Sequence, residues 1–147
     1  MLKIRKMVPE DKASVLPMVY QFYESDAVDH SVPQETLQRT FHAAVEEGTL
    51  LEGYTLEDES GIVGFAYLSK YFACEVGGEN MMLEELYFLP EARGKGYGTE
   101  FFHWVECTYP GVRRFRLEVT DSNQAAIRLY ERLGYHFINY GQMVKDR

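Results

Sequence analysis

Cysteine is scarce in this chain, which contains only two, and long apolar runs are absent. Cys74 and Cys107 lack the spacing of a metal or redox motif, so the sequence predicts reduced thiols in a cytoplasmic protein. No apolar run approaches the ~20 residues of a membrane span, and the N-terminal residues lack the apolar core of a signal peptide. The sequence therefore indicates a cytoplasmic protein and argues against a membrane protein.

Basic residues are outnumbered by acidic ones. The chain has 15 Lys and Arg against 23 Asp and Glu, a formal net charge of -8 at pH 7. Such a protein is poorly suited to binding nucleic acid or anionic lipid, so we expect neither as a partner. The charge is compatible with a cationic small molecule, although acidity also keeps a protein in solution. His42, His103 and His136 lack ligand spacing, so no metal is expected.

A single domain over residues 1–147 is expected, because the chain shows no repeat, low-complexity tract or linker. Apolar periodicity and turn residues predict the order β-α-α-β-β-β-α-β-α-β. The predicted strands cover 2–6, 51–57, 62–72, 81–89 and 112–120, with a closing strand or strand pair over 135–145. This order is typical of a mixed α/β fold with helices packed around one twisted sheet.

The most informative stretch is Leu83-Glu-Glu-Leu-Tyr-Phe-Leu-Pro-Glu-Ala-Arg-Gly-Lys-Gly-Tyr-Gly98, which has the pattern of a strand, a short turn and a helix opened by alternate glycines. Glycine lets the backbone approach a ligand closely, and the first turn of a helix leaves N–H groups without partners. Because the helix dipole adds positive potential there, the pattern predicts a cradle for a phosphate or pyrophosphate. The alternative is a turn that binds nothing, but its glycines would then weaken the helix start without a packing gain.

Two motifs resemble those of the GNAT superfamily of N-acetyltransferases. Arg93, Gly96 and Gly98 match the acyl-CoA-binding pattern Arg/Gln-x-x-Gly-x-Gly/Ala. The run from Asn123 to Tyr135 is similar to the second motif, Asn-x-x-Ala-x-x-Leu-Tyr-x-x-x-Gly-Phe. The resemblance is strong in the C-terminal half and rests on element order in the N-terminal half. It implies the GNAT fold, a twisted and mostly antiparallel sheet flanked by helices, with acetyl-CoA as co-substrate.

The same resemblance assigns the residues that hold CoA, with the backbone amides of the glycine turn on the pyrophosphate. These residues are Leu86, Tyr87, Phe88, Arg93, Gly94, Lys95, Gly96, Tyr97, Gly98, Thr99 and Asn123. Asn123 precedes an apolar helical stripe, so it also fits a plain helix N-cap. The resemblance makes Tyr130 the general acid for the leaving thiolate, since a phenol with a pKa near ~10 stays protonated at neutral pH. The alternative for Tyr130 is a core aromatic.

Two adjacent carboxylates, Glu84 and Glu85, interrupt an otherwise apolar strand. They are expected on opposite faces of the sheet unless the strand contains a bulge. Removing a proton from an alkylammonium of pKa near ~10.4 before attack is one reason to place a carboxylate there. The segment from Glu84 to Phe88 resembles Glu-Asp-Phe-Phe-Val of polyamine acetyltransferases. This resemblance implies Glu84 as the catalytic base and Glu85 as a substrate contact, with a structural ion pair as the alternative. Which of the two carboxylates is the base stays open.

The polar loop after the first helix suits a cationic acceptor, and the facing hairpin adds Tyr71, with Glu75 nearby. The predicted substrate-binding residues of the loop region are Tyr23, Glu24, Asp26, Asp29 and His30. The leading hypothesis is acetyl transfer from acetyl-CoA to a primary amine of a small cationic molecule, by direct attack in a ternary complex. Acetylation of a protein N-terminus or lysine stays open, and so does an acyl-CoA sensor without turnover, against which Tyr130 together with Glu84 argues. A homodimer, the acceptor and the acyl preference also stay open.

Overall fold

The computed structural model describes residues 1–147, with five strands and four α-helices. The strands are β1 (Lys3–Lys6), β2 (Leu51–Asp58), β3 (Gly61–Ala73), β4 (Gly78–Phe88) and β5 (Arg114–Leu117). The helices are α1 (Lys12–Tyr23), α2 (Gln34–Val45), α3 (Tyr97–Thr108) and α4 (Gln124–Arg132). Their order along the chain confirms the predicted order through the last helix. None of the four helices is long and apolar enough to cross a membrane.

The strands form one sheet in the order β1-β2-β3-β4-β5, antiparallel except for the β4–β5 pair. The predicted mixed fold with a mostly antiparallel sheet is therefore confirmed. The parallel pair is short, since Asn80–Leu83 of β4 is in register with Arg114–Leu117 of β5. Strand β4 continues to Phe88 after β5 has ended. Its edge over residues 84–88 therefore lacks a partner strand on that side.

Helices cover both faces of the sheet, and each face has its own apolar core. Helices α1 and α2 bury Val15, Val19 and Phe41 against Phe65 and Tyr67 of β3 on one side, which we call the α1 face. Helix α3 buries its aromatic residues on the opposite side, the α3 face, against residues such as Leu56, Leu68, Met81 and Leu83. Each large apolar side chain buried in this way contributes roughly 1.5–3 kcal/mol. The two cores hold β4, which carries the candidate site, between two helical layers.

The predicted closing strand over 135–145 is wrong. After Gly134, which has φ 93°, the backbone N–H of Tyr135 bonds to the Tyr130 carbonyl, and residues 136–147 form no regular secondary structure. A cavity of about 500 Å³ separates this tail from β5 and α4. The tail is held through side chains instead, as where the Tyr140 hydroxyl donates to Glu75, in the turn between β3 and β4, at 2.8 Å. The composition of the tail favours a strand, but the tail has no neighbouring backbone with which to form a ladder of hydrogen bonds.

Candidate active site

A β-bulge in β4 determines where the two adjacent carboxylates lie. Tyr67 of β3 pairs with Glu85, whereas the next residue, Leu68, pairs with Leu83, so Glu84 is the extra residue. The Ser69 hydroxyl donates to Glu84 Oε1 at 2.6 Å. Tyr67 and Ser69 lie two positions apart on one strand and share a face. Glu84 and Glu85 therefore both lie on the α1 face, and the expectation of opposite faces is wrong, because a bulge reverses the alternation of side chains.

Glu85 is buried under α1, and the hydroxyl of Tyr23 donates a hydrogen bond to its Oε1. Its second oxygen, Oε2, is buried without a partner, and so is the hydroxyl of the neighbouring Tyr67. Burial raises the pKa of Glu85 to about 7; the bond from Tyr23 opposes this shift, and the charge of Glu84 adds to it. Burial and the charge of Glu85 also raise the pKa of Tyr23 and of Tyr67. A carboxyl group with a pKa near neutrality can accept and release protons at the pH of the cell.

Glu84 differs from its neighbour because its side chain is exposed. Its bond from Ser69 anchors one carboxylate oxygen. Its charge is close enough to raise the pKa of both Tyr23 and Glu85. Of the predicted residues, Glu84, Glu85 and Tyr23 are thus brought together at the bulge. They combine an exposed carboxylate, a buried carboxylate and a half-buried phenol.

The loop between α1 and α2 reaches the end of β5 but leaves part of the predicted acceptor set in solvent. The Thr120 hydroxyl donates to the Asp26 carbonyl at 2.5 Å, which holds this loop against the segment after β5. Asp29 and His30 interact with each other, and both are largely exposed. Glu24 is exposed as well. The contact through the Asp26 carbonyl therefore positions the loop, while the charged side chains of Glu24, Asp29 and His30 are exposed to solvent.

The glycine turn ends in a helix start with open space around it. Gly94 and Gly96 have φ 73° and 82°, a left-handed conformation that favours glycine, and an added Cβ at either would meet nothing within 4 Å. No turn, loop or cap hydrogen bond uses the N–H of any residue from Gly94 to Thr99. Gly98 has another role, since a Cβ there would lie 2.9 Å from Leu129 Cδ2 of α4. The missing side chain at Gly98 thus lets α3 and α4 pack closely.

Several side chains of the predicted CoA-binding set have partners inside the protein. Arg93 Nε donates to the Phe88 carbonyl at 2.9 Å, and its guanidinium lies over the Tyr87 ring. The Tyr87 hydroxyl donates to Gln21 of α1 at 2.6 Å, and the Tyr97 hydroxyl donates to Asp58 at 3.0 Å. These side chains brace the turn. The groups left for a ligand at these positions are backbone amides, the remaining Arg93 donors and the exposed Lys95.

Helix α4 places Asn123 and Tyr130 at its two ends. Asn123 Oδ1 accepts from the Ala126 N–H at 3.4 Å, so the predicted N-cap is confirmed. The half-buried Tyr130 ring packs against Phe102 and Tyr135. Burial raises the pKa of Tyr130 to about 12, so its phenol remains protonated at neutral pH. The ring lines the cavity between α4, β5 and the tail.

Two residues outside the predicted site, Ser69 and Tyr67, shape the carboxylate pair. Ser69 anchors Glu84, and Tyr67 places an unpartnered hydroxyl beside Glu85. Both belong to β3, and only the register of β3 against the bulged β4 brings them to the site. The pattern of either strand alone does not predict that register, because it depends on how the two strands pair across the bulge.

Comparisons with known proteins agree with this geometry. The family model described as "Acetyltransferase (GNAT) family" matches residues 16–135. Thialysine N-epsilon-acetyltransferase of Mus musculus is 29% identical over 90% of this chain and 82% of its own length, and that of Sus scrofa is 30% identical over 89% and 82%. The solved structure of the aminoglycoside N-acetyltransferase AAC(6')-Iy, in complex with a bisubstrate analog, covers 100% of this chain and 99% of its own, with 17% identity and a TM-score of 0.78. The chain therefore belongs to the acetyltransferase (GNAT) family, as its two motifs predicted.

Proposed function

We propose that the protein transfers an acetyl group from acetyl-CoA to a primary amine of a small cationic molecule. The observation that carries this proposal is the order of three features along β4 and the turn that follows it. A carboxylate pair at the bulge is followed by a strand edge without a partner, and that edge leads into a turn of free backbone N–H groups. The order of these features matches the order of acceptor, thioester and pyrophosphate in a ternary complex.

The CoA substrate fits the last two of these features. The free N–H groups of residues 94–99, together with the start of α3, suit a pyrophosphate. The unpartnered β4 edge over residues 84–88 offers backbone groups to the amides of the pantetheine arm, as an edge strand does to an added strand. Lys95 and the remaining donors of Arg93 supply positive charge beside the turn. Asn123 stands at the start of α4, whose Leu129 packs against Gly98 of α3.

The carboxylate pair fits the needs of the acceptor. An ammonium group near pKa ~10.4 must lose a proton before its nitrogen can attack, which costs roughly 4–5 kcal/mol at neutral pH. The exposed Glu84 attracts the ammonium. The proton passes to the Tyr23 oxygen while the Tyr23 hydroxyl proton moves to Glu85 Oε1, so that Glu85 ends protonated and Tyr23 is restored. This assigns Glu84 to holding the amine and Glu85 to accepting its proton.

The nitrogen then bonds to the acetyl carbon and becomes cationic. It loses its second proton to solvent as the carbon–sulfur bond breaks and the electron pair leaves with the sulfur. Tyr130 donates its proton to the departing sulfur. Because the thiol has a pKa near ~8.5, below that of a phenol, this transfer is unfavourable by itself and is completed by reprotonation of Tyr130. The thiolate becomes a thiol, and the phenolate recovers a proton from solvent. Because Tyr130 has no hydrogen-bond partner in the protein, its proton is free for this step.

A small amine suits the net charge of -8 and the acidic groups around the bulge. The thialysine acetyltransferases that resemble this chain carry a small amine in their names. Cys74 and Cys107 are both free and exposed, which suits a reducing cytoplasm. Peptide lysine is the second acceptor class, since an exposed carboxylate at the bulge also attracts that ammonium.

The test measures acetyl-CoA affinity by calorimetry in the wild type, Gly96→Asp and Gly48→Asp. Gly48 is a matched control, because it has φ 79° against 82° for Gly96 and equally open space, but lies in the turn after α2. We expect Gly96→Asp to abolish binding, since its carboxylate meets the pyrophosphate, and Gly48→Asp to bind normally. Retained binding in folded Gly96→Asp would overturn the assignment. Thiol release with a panel of amines then separates an enzyme from a CoA sensor.

A further inference from the structure

The α1 face of the sheet continues beyond the bulge as a partly open surface. Ser69, Met82 and Arg116 form one row across β3, β4 and β5, and Glu84 is bonded to the first of them. We call these four residues the acceptor floor. Neighbouring strands lie ~4.8 Å apart, so the Cα atoms of Ser69 and Arg116 are roughly 10 Å apart. The floor is therefore bipolar, with a carboxylate at one end and a guanidinium at the other.

Arg116 has no carboxylate partner of its own. No Asp or Glu oxygen lies within 4.0 Å of its guanidinium, which donates only to the Tyr71 hydroxyl at 3.4 Å. The nearby Glu75 is already engaged, because Oε1 accepts from Arg114 at 3.0 Å and Oε2 accepts from Tyr140 at 2.8 Å. A half-buried cation with a single neutral partner retains most of its capacity to bind an anion.

A second unpartnered group lies in the adjacent row of the same face. Asn80 is in register with Tyr71 on one side and Arg114 on the other, one row from Arg116. It has no exposed surface, and neither its Nδ2 nor its Oδ1 has a hydrogen-bond partner. A buried amide without a partner costs about 1–3 kcal/mol. Because Asn80 is fully enclosed, its Nδ2 reaches an anion between Arg116 and Tyr71 only if the covering side chains move apart on binding.

We propose that Arg116 binds a carboxylate of the acceptor, so that the substrate is an amino acid with a side-chain amine. This inference rests on the proposed function, which places the amine at Glu84. The carboxylate then lies at Arg116, and the alkyl chain between the two charged groups crosses Met82. A plain diamine has a second cation instead, which would meet the guanidinium. The proposal thus selects free amino acids of about the length of lysine over polyamines and over peptide lysine, which lacks a free carboxylate.

The experiment compares kcat/KM for L-lysine, L-lysinamide and cadaverine in the wild type, Arg116→Gln and Arg113→Gln. Lysinamide keeps the shape of lysine and loses only the carboxylate charge. Arg113 is an exposed arginine just before β5, so its substitution controls for the loss of one positive charge. A charge-assisted contact supports a preference of roughly tenfold or more for lysine over lysinamide in the wild type. We expect Arg116→Gln to remove that preference, mainly through KM for lysine, and Arg113→Gln to keep it.

Equal rates with lysine and lysinamide, or faster turnover of cadaverine, would overturn the inference while leaving the proposed function intact. So would an Arg116→Gln enzyme that loses activity equally with all three amines. If no amine releases thiol, the proposed function fails, and the Arg116 site is then judged by binding alone. Lysine signals titrated by saturation-transfer NMR should show contact with the wild type and weaker contact with Arg116→Gln. Absence of that difference rejects the carboxylate site.

Discussion

The Tyr23 hydroxyl, at the end of helix α1, donates a hydrogen bond to Glu85, a carboxylate buried in the sheet. The remaining Glu85 oxygen is enclosed without a partner. Tyr23 itself is half-buried and feels the charge of the exposed Glu84. The phenol therefore connects an enclosed proton acceptor with the surface where an amine would bind. This geometry suits relay of a proton from the acceptor to Glu85 through Tyr23.

Tyr23→Phe should lower the plateau of the pH–rate profile as well as shift it. Loss of the hydrogen bond raises the pKa of Glu85 further, which moves the acid limb to higher pH. At high pH Glu85 is ionised in both enzymes, so the shift of the acid limb no longer affects the rate. The loss of the relay still does, and it should lower kcat/KM by about 10²-fold. The measurement is kcat/KM from pH 6 to pH 9.5 with a primary amine.

Tyr67→Phe is the matched control for that variant. It removes a second phenol beside Glu85, but one that is buried and unbonded, so its plateau should be unchanged. Equal plateaus in the wild type and Tyr23→Phe would show that Tyr23 only lowers the pKa of Glu85 and does not relay a proton. The relay also predicts a smaller effect of Tyr23→Phe with a weakly basic amine that is already neutral at the assay pH.

Glu85→Gln and Glu84→Gln should fail in different ways. Glu85→Gln removes the proton acceptor, so kcat/KM should fall by roughly 10²-fold or more at neutral pH and the acid limb near pH 7 should vanish. Glu84→Gln removes an exposed charge that attracts the amine, so its main effect should be a higher KM. If instead Glu84→Gln abolished the acid limb and Glu85→Gln kept it, Glu84 would be the base that the family resemblance implies.

The buried Glu85 should also make stability depend on pH in an unusual direction. In the folded protein its pKa is about 7, against 4.5 for the free side chain, so between these values the native state binds more protons than the unfolded state. The free energy of unfolding should therefore fall as pH rises from about 4.5 to 7, by roughly 3 kcal/mol from this group. Glu85→Gln, which can still accept from Tyr23, should lack this fall. Urea unfolding at pH 5, 6, 7 and 8 measures it.

The control for stability is Glu47→Gln, which changes an exposed carboxylate outside the regular elements. It should follow the wild-type pH dependence. Parallel curves for the wild type and Glu85→Gln would mean that folding leaves the pKa of Glu85 close to 4.5. The carboxylate would then have no advantage as a proton acceptor.

The parts of the site that could be predicted from the sequence are those determined locally. The helix start after the glycine turn and the N-cap at Asn123 depend on a few neighbouring residues, and both occur as expected. The bulge at Glu84 depends instead on the register of β4 against β3, which no pattern within β4 encodes. The tail after Gly134 has apolar residues typical of a strand, but a strand also needs a backbone partner, and the tail has none.

Tyr130→Phe tests whether Tyr130 protonates the sulfur of CoA as it leaves. The substitution keeps the ring against Phe102 and Tyr135 and removes a hydroxyl without a hydrogen-bond partner, so the fold and CoA affinity should change little. If Tyr130 protonates the sulfur, kcat should fall by about 10²-fold. The loss should shrink with an aryl thioester, whose leaving group needs no proton.

Tyr135→Phe is the matched control, since its ring lies 6.0 Å from that of Tyr130 and lines the same cavity. An undiminished kcat in Tyr130→Phe, or an equal loss in Tyr135→Phe, would reduce Tyr130 to a core aromatic.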